Sequence, residues 1–80
     1  MKPLAILLRE YDAAIEKHPD FPSGMAAVSV IAEELGELAK ELNDAAEGSE
    51  GAYDRAIIEA AHVAVTAIRT MEAISPLTNK

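Results

Sequence analysis

The chain has 80 residues and a formal charge of −7, because 14 acidic side chains outnumber 7 basic ones. Half of the residues are apolar and cysteine is absent, which excludes disulfides, thiolate metal sites and a cysteine nucleophile. The acidic balance argues against binding to a nucleic-acid backbone, which needs clustered lysine and arginine. One small domain over residues 1–80 is expected, near the size at which a single core needs disulfides, a metal ion or a partner chain to be stable.

No targeting segment and no contact with a membrane are expected. The apolar run at residues 4–8 ends at Arg9 and Glu10, and no small-residue cleavage site follows it. No stretch approaches the roughly 18 apolar residues that a membrane span needs. The sequence therefore predicts a cytoplasmic protein.

The first predicted helix covers residues 3–17. Pro3 suits its first turn, where a missing N–H costs nothing, and apolar residues follow at three- and four-residue spacing. The predicted apolar face consists of Leu4, Leu7, Leu8, Tyr11 and Ile15. Pro19 and Pro22 end the helix, and Phe21 is expected to fill a gap between helix ends.

The second predicted helix covers residues 23–46, with Ser23 as its N-cap and Gly48 as the residue that ends it. Its apolar face consists of Val28, Ile31, Leu35, Leu38 and Leu42. Seven of the 14 acidic residues lie between positions 33 and 50, where only Lys40 opposes them. Most of these acidic side chains are expected to be solvated surface.

The third predicted helix covers residues 52–74, and residues 75–80 are expected to be a frayed tail. One apolar stripe consists of Ile57, Ala61, Ala64, Ile68 and Met71. Further apolar side chains lie elsewhere on the circumference, which indicates a helix buried on several sides. Two partner helices cannot cover it, so we expect an all-α, three-helix antiparallel protomer that assembles through its third helix.

Two pairs of polar residues have the i, i+3 spacing that makes side chains neighbours on a helix. Glu34 and Glu37 repel each other on the second helix, and a divalent cation would reverse the sign of that interaction. Glu59 and His62 lie opposite the apolar stripe of the third helix, where a carboxylate needs a partner. If these two helices pack antiparallel, the four side chains converge on a site for one or two divalent ions.

Simpler interpretations of the same residues stay open. Glu34 and Glu37 also fit a solvated helix face, and His62 also fits a hydrogen-bonded core histidine. A non-catalytic oligomeric protein is one alternative function. An acidic module that mimics nucleic acid against a basic partner is another, but it leaves Glu59 unexplained.

The two motifs resemble the signature of the MazG-type all-α nucleoside triphosphate pyrophosphohydrolases, which is E-E-x-x-E on one helix and E-x-x-D on the next long helix. The first motif reads Glu33-Glu34-Leu35-Gly36-Glu37 here, and the second reads Glu59-Ala60-Ala61-His62. The resemblance covers residues 5–74. The helix after Glu59 and the loop at residues 16–20 are also similar to small phage-borne members.

The resemblance implies MazG-like packing into a dimer or tetramer, and metal-dependent hydrolysis of a nucleoside triphosphate to monophosphate and pyrophosphate. By this analogy Glu34, Glu37 and Glu59 are the catalytic residues and bind Mg²⁺. His62 occupies the position of the family's aspartate and would be a fourth ligand, which favours Mn²⁺ or another transition metal. Phosphate contacts are expected from Lys17, Lys40 and Arg55. His62 and the lack of tryptophan also favour an alternative, a catalytically weak or inactive scaffold of the same fold.

Overall fold

The computed structural model describes residues 2–78. Three helices follow one another, α1 (Pro3–Lys17), α2 (Met25–Ala46) and α3 (Ala52–Ile74), and a short 3₁₀ turn covers Ser75–Leu77. Residues 2–78 contain no strand, which confirms the all-α class. No helix in this range is long and apolar enough to cross a membrane.

Two predicted boundaries differ from the structure. α2 begins at Met25 with Gly24 as its N-cap, so the prediction of Ser23 as the N-cap is wrong. Glycine serves there because its backbone adopts the extended N-cap conformation with little cost. The predicted frayed tail is a turn up to Thr78, whose N–H and hydroxyl both donate to the Ser75 carbonyl. Positions 79 and 80 lie outside the described residues.

A connection at residues 47–51 folds α2 back onto α3 as an antiparallel hairpin. Gly48 and Gly51 have φ angles of 85° and 77°, the left-handed region that favours glycine. The Gly48 N–H donates to the Ala45 carbonyl, and Gly51 directly precedes α3. These two glycines reverse the chain within one short turn.

α3 is the central helix of the protomer. Both α1 and α2 pack against it, whereas α1 and α2 do not pack on each other within residues 2–78. The buried apolar residues are Ile6, Ala27, Ala52, Ala56, Ala61 and Val65. Most of them are alanines, so the helices approach closely but bury little apolar area.

The predicted apolar faces of the three helices contribute little to the core of the protomer, since of their residues only Ala61 of α3 is buried. The buried side chain of α1 is Ile6. Three residues of the predicted α1 face are exposed, namely Leu4, Leu8 and Ile15. On α2, Val28, Leu35 and Leu42 are exposed. On α3, Ile57 and Met71 are exposed to 50% and 67%. The reason is the composition of the buried face of α3, which meets its neighbours through small and polar side chains.

A buried arginine joins the end of α1 to α3. The Arg69 guanidinium donates to the His18 carbonyl over 2.6 Å and to the Ala14 carbonyl over 3.4 Å. It also lies 5.0 Å from the centre of the Phe21 ring, within the range of a cation–π interaction. One turn further along α3, Glu72 accepts a hydrogen bond from the Tyr11 hydroxyl. Polar contacts thus attach α1 where apolar packing is thin.

Candidate metal centre

The α2–α3 hairpin brings the two predicted pairs of polar residues together. His62 Nδ1 lies 2.7 Å from Glu59 Oε1 and 3.5 Å from Glu34 Oε2. One ligand atom from each of Glu34, Glu59 and His62 lies within 4.8 Å of the other two. The Glu37 carboxyl contacts Glu59 through a hydrogen bond. Three of the four predicted ligands, Glu34, Glu59 and His62, therefore share one volume, and Glu37 contacts it through Glu59.

The register of the hairpin explains this convergence. A step of three residues forward along α2 corresponds to a step of three residues backward along antiparallel α3. Glu34 therefore lies beside His62, and Glu37 lies beside Glu59. Only this register places both residues of one i, i+3 pair beside both residues of the other. The spacing of the motifs therefore predicted where the site lies.

Glu10 of α1 completes the cluster, and the motifs did not identify it. Its Oε1 lies 2.8 Å from His62 Nε2, on the opposite side of the ring from Glu59. Glu10 is four residues after Ile6 and therefore shares its face of α1, but the burial of that face is a property of the tertiary structure. The predicted apolar face of α1 lies on another side of the helix, so the sequence analysis did not place Glu10 towards α3. We call Glu10, Glu34, Glu37, Glu59 and His62 the Glu–His cluster.

Burial and hydrogen bonds shift several pKa values in the Glu–His cluster. Burial, together with the charge of Glu37, raises the pKa of Glu34. The hydrogen bond with Glu59, together with the negative charge of Glu59, raises the pKa of Glu37. The hydrogen bond from His62 lowers the pKa of Glu10.

The pKa of His62 reflects two opposing effects. Burial lowers it, but hydrogen bonds to Glu10 and Glu59 favour the charged ring, and the net pKa is raised above 6.5. A protonated His62 donates from both ring nitrogens and offsets part of the negative charge around it. In the metal-free protein, a proton on His62 therefore has the electrostatic role that a cation would have.

One carboxylate oxygen of the cluster lacks a hydrogen-bond partner. Glu34 Oε2 is buried, and no group within residues 2–78 donates a hydrogen bond to it. Its 3.5 Å separation from His62 Nδ1 is too long for a good hydrogen bond. A buried carboxylate oxygen without a donor is costly, and this oxygen lies on the side of the cluster shared with Glu59 and His62.

A cavity of about 620 Å³ extends from the cluster along α1 and α3. Glu10, Glu34 and His62 line one part of it. Its remaining wall includes Lys17 and Arg69, each seven residues further along its helix, which corresponds to a distance of roughly 10 Å. The carboxylates and the two basic side chains therefore lie on one continuous surface, with Phe21 beside the basic part.

The predicted phosphate-binding residues occupy two different places. Lys17 lines the cavity. Lys40 pairs with Asp44 over 2.9 Å, and Arg55 pairs with Glu41 over 3.0 Å near the α2–α3 turn. Neither of these two lines the cavity, so only Lys17 is joined to the Glu–His cluster by a common surface.

The fold and the cluster define a small all-helical protein with a candidate carboxylate–imidazole metal centre. No family model matches this chain, and no significant match was found among curated proteins or solved structures. The likeness to the MazG-type enzymes therefore rests on the sequence resemblance alone.

Proposed function

We propose that the Glu–His cluster binds a divalent cation and that the protein hydrolyses a nucleoside triphosphate between its α and β phosphates. The observation that carries the proposal is the convergence of Glu34, Glu59 and His62, whose ligand atoms lie within 4.8 Å of one another. The reaction comes from the resemblance of the two motifs to the MazG-type signature. The products are a monophosphate and pyrophosphate, and the expected compartment is the cytoplasm.

The residues of the cluster fit a divalent cation. Buried Glu34 Oε2 has no hydrogen-bond donor among residues 2–78, and a cation would be its missing partner. Carboxylate oxygens suit Mg²⁺ and Mn²⁺, and an imidazole nitrogen adds a preference for transition metals. When bound, the metal supplies positive charge to the phosphate oxygens and acidifies a water molecule.

The side chains of the cluster would have distinct tasks. Glu34, Glu59 and His62 would hold the cation, since their ligand atoms share one volume. Glu37 contacts that volume through Glu59, and the same hydrogen bond raises its pKa. A carboxyl with a raised pKa is a better proton acceptor near neutral pH, so Glu37 would take up the proton released by the attacking water.

The cavity beside the cluster supports a phosphate-bearing substrate. Its volume of about 620 Å³ falls within the roughly 300–1,000 Å³ typical of small-molecule sites. Lys17 on its wall would contact the phosphate chain. The half-buried ring of Phe21 offers an apolar surface at the end away from the carboxylates.

The enzymatic proposal is tested by measuring pyrophosphate release from a panel of nucleoside triphosphates, with Mg²⁺ and separately with Mn²⁺. We expect release by the wild type, and release with Mn²⁺ at least equal to that with Mg²⁺ because of His62. The double substitution Glu34→Ala, Glu37→Ala is expected to lower the rate by at least roughly 100-fold, since it removes a metal ligand and the proton acceptor.

The matched control is the double substitution Glu47→Ala, Glu50→Ala. It makes the same change in net charge at exposed side chains outside the cluster and should leave the rate unchanged. Equal release by the wild type and the Glu34→Ala, Glu37→Ala variant would contradict the proposal.

A second proposal, self-assembly, rests on exposed apolar rows with seven-residue spacing. Val28, Leu35 and Leu42 on α2 are exposed to 53%, 54% and 48%. Ile57 and Met71 belong to a similar row on α3. Such rows are typical of helices that pack against further helices. A dimer or tetramer formed through α3 would cover them, and it would also serve a catalytically weak or inactive scaffold.

The assembly is tested with the substitution Ile57→Glu. A charge in the α3 row is expected to dissociate the oligomer, because an unpaired charge is costly in an apolar interface. The molar mass of the wild type and the variant is measured by light scattering during size-exclusion chromatography. Ser29→Glu is the control, since Ser29 is exposed and lies outside these rows. A monomeric wild type would refute the assembly.

A further inference from the structure

The two ring nitrogens of His62 face carboxylates from different helices. Nδ1 faces Glu59 of α3 at 2.7 Å and Glu34 of α2 at 3.5 Å. Nε2 faces Oε1 of Glu10 on α1 at 2.8 Å. The second oxygen of Glu10 accepts a hydrogen bond of 3.3 Å from Arg9 Nε. The carboxylate of Glu10 is therefore held with one oxygen directed at Nε2.

A neutral imidazole has one N–H group and one lone pair, and the partner of one nitrogen decides which nitrogen keeps the lone pair. Carboxylates face both nitrogens of His62. A cation held by Glu34 and Glu59 would displace the proton from Nδ1, and the acceptor at Nε2 then keeps the remaining proton there. The lone pair then lies on Nδ1, the nitrogen that shares a volume with Glu34 and Glu59. Histidine ligands in metal sites are commonly oriented in this way by a carboxylate on the far nitrogen.

We infer that Glu10 is a positioning residue of the metal centre, which fixes the Nε2–H form of His62 and presents Nδ1 as a ligand to a transition-metal dication of the Zn²⁺ or Mn²⁺ type. This inference rests on the proposed function for the existence of the metal site. It adds a residue outside both sequence motifs, and it accounts for a histidine where the resembling family has an aspartate. A histidine ligand has two neutral tautomers, and a partner at its second nitrogen selects one of them, whereas an ionised carboxylate has no tautomer to select.

The position of Glu10 also links the metal centre to the docking of α1. α1 packs only on α3 within residues 2–78, and the contact between Glu10 and His62 is one of its few polar attachments. A metal on Nδ1 leaves the Nε2–H group to bond Glu10. Metal binding and α1 docking therefore support each other, because linkage between two sites is reciprocal.

The inference is tested with Zn²⁺, which is diamagnetic, and protein labelled with ¹⁵N in its two histidines. Long-range ¹H–¹⁵N correlation spectra distinguish the ring nitrogens, and exposed His18 is an internal reference. The spectra are recorded at a pH where both rings are neutral. We expect Zn²⁺ to shift Nδ1 of His62 while Nε2 keeps its proton.

Three variants separate positioning from a general effect of charge. Glu10→Ala is expected to lose the preference for the Nε2–H form and to bind Zn²⁺ roughly 10- to 100-fold more weakly. Glu10→Gln keeps an oxygen acceptor at the same position, so it should retain the preference and an affinity within a few-fold of the wild type. Glu16→Ala removes an exposed carboxylate of α1 and should match the wild type. Circular dichroism verifies the helix content of each variant.

The inference is overturned if Zn²⁺ shifts Nε2, if wild-type His62 binds no Zn²⁺, or if Glu10→Ala keeps the wild-type form and affinity. Pyrophosphate release with Mg²⁺ is measured on the same samples. If the wild type releases pyrophosphate and Glu10→Ala leaves the His62 tautomer and the Zn²⁺ affinity unchanged, only the positioning role is overturned. The expected Zn²⁺ and tautomer results without any release support the positioning role and overturn the enzymatic proposal.

Discussion

Arg69→Ala is expected to lower the melting temperature by roughly 10–25 °C. Arg69 is only 7% exposed, and its guanidinium donates to the carbonyls of His18 and Ala14. Hydrogen bonds from charged groups contribute about 1.5–3 kcal/mol each, and the contact with Phe21 adds about 0.5–2 kcal/mol. Water can replace part of this at exposed His18, so a net loss of about 2–4 kcal/mol is expected, and each kcal/mol shifts the midpoint by about 4–8 °C.

The stability loss is measured by thermal and urea unfolding followed by circular dichroism. Lys40→Ala is the control, because it removes an exposed i, i+4 ion pair with Asp44, and exposed ion pairs contribute little to stability. Arg69→Lys should recover only part of the loss, since lysine keeps the charge but lacks the planar fork of donors. Equal melting temperatures for Arg69→Ala and Lys40→Ala would show that Arg69 does not attach α1.

Glu59→Gln is expected to have the largest effect on metal binding. Glu59 contacts both Glu37 and His62, so it connects the two halves of the Glu–His cluster. The substitution keeps the size of the side chain and removes its charge. The affinity for Mn²⁺, measured by calorimetry, should fall by more than the roughly 10- to 100-fold typical of supporting residues. An unchanged affinity would remove Glu59 from the metal centre.

The same substitution should change how stability depends on pH. The pKa of folded His62 is raised above its ordinary value of 6.5. Its contribution to stability is therefore fully present below pH 6.5 and is lost as the pH rises through the raised folded pKa. Without the Glu59 carboxylate the pKa of His62 should fall, and this loss of stability should shrink.

The pH experiment compares urea unfolding of metal-free wild type and Glu59→Gln across that range, with the His62 pKa followed by nuclear magnetic resonance. Metal affinity should show the opposite trend in the wild type and rise with pH, because protons compete for the same ligands. A wild-type stability that increases between pH 6.5 and the folded pKa of His62 would contradict the assigned hydrogen bonds.

The sequence located the helices because their signals are local. Proline at position 3 and the prolines after α1 delimit the first helix, and glycines at 48 and 51 delimit the hairpin. These residues act through their own backbone conformations. The N-cap of α2 was predicted wrongly, since Ser23 and Gly24 both suit that position and local preference does not separate them.

The motif spacing also located most of the candidate site. Glu34 and Glu37 on one helix and Glu59 and His62 on the next have matching separations, and a short connection forces those helices to be antiparallel. The connection and the spacing both belong to the sequence. Their convergence followed from geometry that is the same for every α-helical hairpin.

The sequence by itself thus determined three helices, an antiparallel hairpin and a pair of polar motifs that face each other across it. Only the tertiary structure decided which face of α1 is buried. α1 has apolar residues on more than one side, and its orientation depends on the surface that α3 offers. That surface is small and polar, so Leu4 and Leu8 face outward while Ile6 and Glu10 face α3. Rotating α1 in this way brings Glu10 onto His62, and no local propensity encodes such a rotation.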